Sequence, residues 1–239
     1  MTELLYQTDS YLKEFEATVT AIDPENHGII LNRTAFYPGG GGQPPDKGTL
    51  TIGGQVYHVS RAKKIGGEIV HLIEEAELPE TGQEATGRID WERRYKLMRT
   101  HTAMHILCGV IWRDYGASVT GGNMEPLKGR MDFEFETMRR ELVQEIENSI
   151  NAEVANAREV RVAILPREEA FQIPDLIRTK INLLPEGITQ VRVVEIVGLD
   201  LQADGGTHVR NTSEVGRLKV VDYKSKGKIN KRIYLEVEP

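Results

Sequence analysis

Two short histidine-bearing segments have the residue types and spacing for metal chemistry. In RTHTAMHIL, His101 and His105 stand at i and i+4. On a helix that spacing puts both imidazoles on one face, a turn apart, where they can offer two nitrogens to one ion. The pair lacks the glutamate that follows the first histidine in metallopeptidase helices, because Thr102 stands there instead, so a peptidase reading loses its base. In ADGGTH, Asp204 precedes His208 by four positions, with Gly205 and Gly206 between them. Glycines let such a loop fold tightly enough for the acid and the imidazole to face one centre. The two halves together make a tetrahedral set of four donors, or a three-donor set with one position open to substrate.

These residues need a helix and a strand-ending loop to hold them. From Asp90 the chain is rich in strong helix formers, with apolar side chains at Tyr95, Met98, Leu107, Val110 and Ile111, which predicts a helix carrying His101 and His105 and stopping at Gly116. A second helix is predicted from about Met138 to Ala157, with Thr137 as N-cap and an apolar stripe of Met138, Leu142, Ile146, Ile150 and Val154. A third is predicted to open at Pro166 and run through Arg178. Strands are read at EVRVAIL, QVRVVEIVG, RLKVVDYKS and KRIYLEVE, the second leading toward the Asp204 loop. Residues 14 to 87 differ in texture, with short β-branched stretches, frequent glycine punctuation and no convincing helix. A small antiparallel β-barrel closes such a segment naturally. The fold class is therefore α+β, with an all-β domain at 1–87 and an α+β domain at 88–239.

Between two strand-like stretches lies TAFYPGGGGQPPDKG, where Gly39, Gly40, Gly41 and Gly42 run into Gln43. Such a run serves positive φ angles or the close approach of backbone to another molecule. His27, His58 and His71 fall in the strand-rich part and are read as surface or pocket-rim residues, outside any nucleophile–base arrangement.

The chain of 239 residues has ample apolar content for a core, at 39%. No stretch has the roughly 18 uninterrupted apolar residues of a membrane span. The first residues do not follow the basic-then-apolar order of a signal peptide, and Cys108 is the one cysteine, which together point to a cytoplasmic protein. A formal charge of −6 weighs against nucleic-acid binding through bulk positive charge. Two local basic strips remain for phosphate contacts: Arg88, Arg93, Arg94, Lys96 and Arg99, then Lys219, Lys224, Lys226, Lys228, Lys231 and Arg232.

Four blocks, TAFYPGGGGQPPDKG at 34–48, RTHTAMHIL at 99–107, RMDFEF at 130–135 and ADGGTHVRNTSEVG at 203–216, resemble in order and separation the free-standing alanyl-tRNA editing proteins, the AlaX family. These in turn are similar to the editing domain of alanyl-tRNA synthetase. The resemblance covers nearly the whole chain. It implies a β-barrel joined to an α+β editing domain, and a metal-dependent hydrolase that removes serine, or glycine, from tRNA(Ala).

By the same resemblance the metal is zinc, held at His101, His105 and His208, with Asp204 where the family commonly has cysteine. Carboxylate oxygen is an ordinary zinc ligand, and losing the thiolate widens the choice of metals. Cys108, on the helical face of His101 but about 10 Å further along the axis, is too far to serve and is read as packing. Thr34 is the candidate for recognising the serine hydroxyl, with Thr120 a second, and Gly40, Gly41, Gly42 and Gln43 are candidates for contact with the acceptor end of the tRNA. A monomer is expected. The alternative reading is a tRNA-binding module whose ion is structural and which hydrolyses nothing.

Overall fold

The computed structural model describes residues 2–74, 76–179 and 187–238. The fold is α+β, and the chain divides into two compact units, Met1–Tyr95 and Lys96–Pro239. The division falls inside a helix, some residues beyond the change of texture seen in the sequence.

In the first unit, β1 (Glu3–Leu4) pairs in parallel with β4 (Arg33–Thr34). A closed antiparallel barrel is formed by β2 (Glu14–Asp23), β3 (Gly28–Leu31), β5 (Gly48–Ile52), β6 (Gln55–Ile65), β7 (Glu68–Ile73) and β8 (Glu84–Ile89), in the order β2-β3-β7-β6-β5-β8. Strand β2 alternates out and in, so that Phe15, Ala17 and Val19 point inward to meet Leu31, Phe36, Leu50 and Val59. Closure leaves the barrel no unpaired edge.

The glycine run is a turn that only glycine can make cheaply. Gly39, Gly40, Gly41 and Gly42 have φ of 83°, 138°, 54° and 88° in succession. Paired backbone bonds join Gly40 and Gln43, at 3.1 and 2.8 Å, and the Tyr37 hydroxyl donates to the Gly40 carbonyl at 3.0 Å. Gly40 and Gly41 are exposed while Gln43 is buried. Asp46 then anchors the segment by accepting from the Tyr37 amide at 2.7 Å and by a buried ion pair with Arg94.

Helix α1 (Trp91–Tyr115) is the longest element and ends at Gly116, whose φ is 63°. From Leu97 to Ile111 it is buried almost all round, which explains why its apolar residues follow no single stripe. In the second unit, β9 (Val119–Glu125) and β10 (Lys128–Glu134) form a hairpin that the sequence did not disclose as strands. Helix α2 (Arg140–Ala155) and β11 (Val160–Pro166) follow, then a single helical turn, α3 (Arg167–Ala170). Next come β12 (Gln190–Ile196), β13 (Asp200–Ala203), β14 (Leu218–Ser225) and β15 (Asn230–Val237). The sheets run β14-β15-β10-β9 and β11-β12-β13.

Three expectations are corrected. The helix predicted from Pro166 through Arg178 stops at Ala170, because Pro174 can neither donate its amide nor tolerate the preceding helical turn. Helix α2 begins later than predicted, with Arg139 at the cap making no side-chain bond, and it buries Val143, Ile146, Ile150 and Glu153. A stripe drawn every four residues drifts off the face of a helix with 3.6 residues per turn, which is why Leu142 and Val154 are only half-buried. Finally, His71 is no rim residue: it is fully buried inside the barrel unit, whereas His58 is exposed and His27 half-buried.

Candidate metal centre

His101 and His105 project from one face of α1, as their spacing requires, in the stretch where the helix is buried. Asp204 and His208 lie on the loop that follows β13. That loop is shaped by Asp204 itself, whose carboxylate accepts from the Gly206 amide two residues on at 2.8 Å, an Asx turn that brings His208 back toward it. The Asp204 amide donates to the Arg192 carbonyl on β12, and the Arg192 guanidinium donates to the Asp204 carbonyl at 2.9 Å. The loop is thereby fastened to the sheet at both ends of one residue.

One candidate ligand atom from each of the four residues lies within 4.8 Å of the others. The His101 and His208 rings stack at 4.2 Å between centroids, and His105 stands edge-on to both, at 5.1 Å from His101 and 4.7 Å from His208. Asp204 Oδ2 is 3.0 Å from His208 Nε2, and Oδ1 is 3.6 Å from His101 Nε2. His101, His105 and His208 are all buried, at 4%, 7% and 3% exposure.

Outer contacts fix the rings from behind. His105 Nδ1 donates to Asp200 Oδ2 at 3.0 Å, so its proton sits on Nδ1 and Nε2 is left as the donor to the cluster. His208 Nδ1 lies 3.1 Å from the Thr102 hydroxyl, which also accepts from the Val209 amide at 3.3 Å.

Burial holds the His101 imidazole well below its ordinary pKa of 6.5, and it holds His208 down to about 4. Burial also acts on His105 but is outweighed by the hydrogen bond and charge of Asp200, so that its pKa is raised. Asp204 is held well below the usual carboxylate range: burial opposes ionisation, but the surrounding imidazoles outweigh it. Three imidazoles, two of them held neutral by burial, and one carboxylate form a donor set that suits zinc or a related divalent ion.

Cys108 is 2% exposed and its sulfur accepts from Gln202 Nε2 at 3.3 Å, so it packs among the residues behind His105, and burial pushes its thiol pKa up. Thr34, on β4 of the first unit, is fully buried rather than facing solvent. Its hydroxyl meets His71 Nε2 at 2.8 Å and accepts from the Phe36 amide at 3.1 Å. Thr120, on β9, is exposed and donates to Asn230 Oδ1 at 2.9 Å. Gly40, Gly41 and Gly42 take positive φ in the turn of the first unit, which Gln43 closes through its backbone bonds to Gly40.

The basic strips are less available than their sequence suggests. Arg94 is consumed by Asp46, and Arg99 donates to the carbonyls of Val215 and Glu238. Lys231 caps the carbonyls of Gly227 and Lys228, while Arg232 is forked onto Asp132.

Residues 4–93 match the family described as tRNA synthetases class II (A), and residues 191–234 match the threonyl and alanyl tRNA synthetase second additional domain. An alanyl-tRNA editing protein AlaX-M of Saccharolobus solfataricus is 42% identical over 241 residues, covering 100% of both chains. The chain belongs to the AlaX family. A second AlaX-M, from Methanosarcina mazei, is 41% identical and covers 99% of this chain and 97% of its own. The alanine–tRNA ligase of Ignicoccus hospitalis is 39% identical over 92% of this chain but only 24% of its own length. The AlaX chain thus corresponds to about a quarter of that ligase. Among the described residues no helix is long and apolar enough to cross a membrane.

The sequence singled out all four cluster residues but missed those that hold them: Thr102, Arg192, Asp200 and Gln202. Asp200 carried one local signal, its place four residues before Asp204 in DLQAD.

Proposed function

We propose that this AlaX protein is an aminoacyl-tRNA hydrolase that edits alanyl-tRNA by removing serine, and glycine, wrongly joined to tRNA(Ala). The observation that carries the reading is the buried convergence of His101, His105, Asp204 and His208 in a chain full-length related to editing proteins. One water is consumed, the ester between the amino acid carbonyl and the terminal ribose is broken, and a free ribose hydroxyl, an amino acid carboxylate and one proton are released.

The four residues would hold one zinc ion. When bound there, zinc supplies a Lewis acid beside the ester. The chain's own part is preorganisation. Burial keeps His101 and His208 neutral and able to donate, Asp200 fixes the His105 ring, and Thr102 can take the Nδ1 proton of His208 so that Nε2 faces inward. Arg192 keeps the Asp204 loop on the sheet.

Selectivity is assigned to Thr34. The Ile29 carbonyl only accepts, so His71 Nδ1 carries the ring proton, Nε2 is an acceptor, and the Thr34 hydroxyl must donate to it. With a second bond accepted from Phe36, one lone pair is left to receive a hydrogen bond from a serine hydroxyl. Alanine lacks that hydroxyl and leaves the lone pair unmatched, a loss of about 1–3 kcal/mol. The exposed backbone of Gly40 and Gly41 is assigned to the acceptor end of the tRNA, with Gln43 holding the turn. Thr120 is kept as a secondary polar contact.

One observation favours a second reading: Asp204 gives the cluster a fourth protein donor, which can complete a structural tetrahedral site. Deacylation of Ser-tRNA(Ala), Gly-tRNA(Ala) and Ala-tRNA(Ala), measured side by side with the zinc-loaded protein as a monomer or whatever assembly it forms, separates the two. Release of serine and glycine with alanine retained supports editing. Cleavage of none of the three by folded, zinc-loaded protein replaces it with the binding-module reading.

A further inference from the structure

We infer that Asp200, itself held by Gln202 and Arg178, is a positioning residue that fixes which nitrogen of His105 faces the cluster. The inference rests on the metal reading above and adds residues that neither the motif nor the family descriptions single out.

The Asp200 side chain is fully buried, and its two oxygens have separate tasks. Oδ2 accepts from His105 Nδ1 at 3.0 Å and from Gln202 Nε2 at 2.7 Å. Oδ1 has no hydrogen bond among the described residues, and the Arg178 Nε that likewise has none lies 3.6 Å from it. Each is the other's electrostatic counterpart. Arg178 is kept there by its guanidinium lying 4.7 Å over the Trp112 ring of α1. With Oδ2 fixed by Gln202 and Oδ1 facing the guanidinium, the carboxylate is held in place as the acceptor behind His105 Nδ1, so the other ring nitrogen, Nε2, is turned to the cluster.

The approach is built into α1. Gly109 follows His105 by four residues on the same face. A Cβ there would stand 2.8 Å from Leu199 Cγ and 3.0 Å from Asp200 Cβ. The absence of that carbon lets the turn into β13 settle onto the helix, where Asp200 reaches the ring. Any larger residue at 109 would push the carboxylate away from His105.

The test uses the full-length protein and its Asp200→Ala and Asp200→Asn variants. One readout needs no metal: the ¹⁵N pattern of the His105 ring at pH 8 reports its tautomer. The other is zinc affinity by competition with a chromophoric chelator, with thermal unfolding to check the fold. In wild type the Nδ1–H tautomer is expected. Asp200→Ala should mix the tautomers and weaken zinc binding 10–100-fold. Asp200→Asn, which keeps an accepting oxygen, should retain the tautomer and most of the affinity. Wild-type protein that binds no zinc overturns the metal reading itself. Wild type that binds zinc while folded Asp200→Ala keeps both tautomer and affinity overturns this inference alone. Should Asp200→Ala not fold, Gly109→Ala takes its place, and an unchanged His105 tautomer there overturns the inference equally.

Discussion

His71 and Thr34, 37 positions apart in the chain, meet at 2.8 Å inside the first unit, where neither has any appreciable exposure. The imidazole accepts the threonine proton on Nε2 and gives its own to the Ile29 carbonyl at 2.9 Å. Burial pushes the His71 pKa from 6.5 to about 4, and the bond to Ile29 offsets only part of that. The unfolded chain therefore takes up a proton on this ring below about pH 6.5, while the folded chain does not until about pH 4. Stability contributed by the neutral ring is complete above pH 6.5 and is lost as the pH falls through that window. At pH 5 the loss from this group is about 2 kcal/mol. Urea unfolding at pH 7 and pH 5 should show a smaller pH-dependent loss in His71→Asn than in wild type, and equal losses would refute the assignment.

Replacing Thr34 separates its hydroxyl from its shape. Thr34→Val should lower kcat/KM on Ser-tRNA(Ala) by about tenfold, the worth of one neutral hydrogen bond at the upper end of the usual range. It should also destabilise the barrel unit, since the Phe36 amide and His71 Nε2 lose their partner. Thr34→Ser should restore both properties. A valine variant that edits serine as well as wild type removes Thr34 from selectivity.

The Arg94–Asp46 pair should behave as a structural element of the first unit. Arg94 also donates to the carbonyls of Ser10 at 3.0 Å and Ala35 at 2.6 Å, so one guanidinium ties three chain segments together. Arg94→Ala leaves a buried carboxylate without its cation, and a loss of about 3–5 kcal/mol is expected in chemical unfolding. Arg94→Lys should rescue little, because an ammonium cannot span the same fork of acceptors.

Substitutions at Asp204 test its proposed role as a ligand and its effect on the choice of metal. Asp204→Ala should lower zinc affinity by more than the roughly 10–100-fold that losing even an outer partner of a ligand costs, as read by chelator competition. Asp204→Cys should bind zinc at least as tightly as wild type and favour it more strongly over manganese, because thiolate is the softer ligand. Unchanged preference in the cysteine variant would mean that the side chain at 204 does not contact the ion.

The parts of the molecule that were legible in the sequence are those written in local spacing. The helical His101–His105 pair, the Asp204–His208 loop and the alternation of the barrel strands each lie within a few residues of chain. The partners that make the site were not: Asp200 and Gln202 reach His105 only because the turn into β13 folds onto α1 at Gly109. His71 looked ordinary in EIVHLI, since nothing nearby in sequence indicates that Thr34 will supply its hydrogen bond. The hairpin of β9 and β10 was obscured by Gly121, Gly122 and Gly129, residues that weaken strand character. Two of these glycines lie under the Met104 side chain of α1, which would stand 3.3 Å from a Cβ built on Gly122 and 3.0 Å from one on Gly129. The third helix stops at Ala170, four residues short of Pro174, which is itself a stop signal in the sequence.

Whether the cluster of His101, His105, Asp204 and His208 is a hydrolytic metal centre is decided by titrating zinc into metal-stripped protein while following serine release from Ser-tRNA(Ala). Little turnover is expected without zinc, then a rise in rate that levels off at one equivalent per chain, with no recovery in His208→Ala. Full activity in the metal-free protein, or activity indifferent to the loss of His208, would contradict that role.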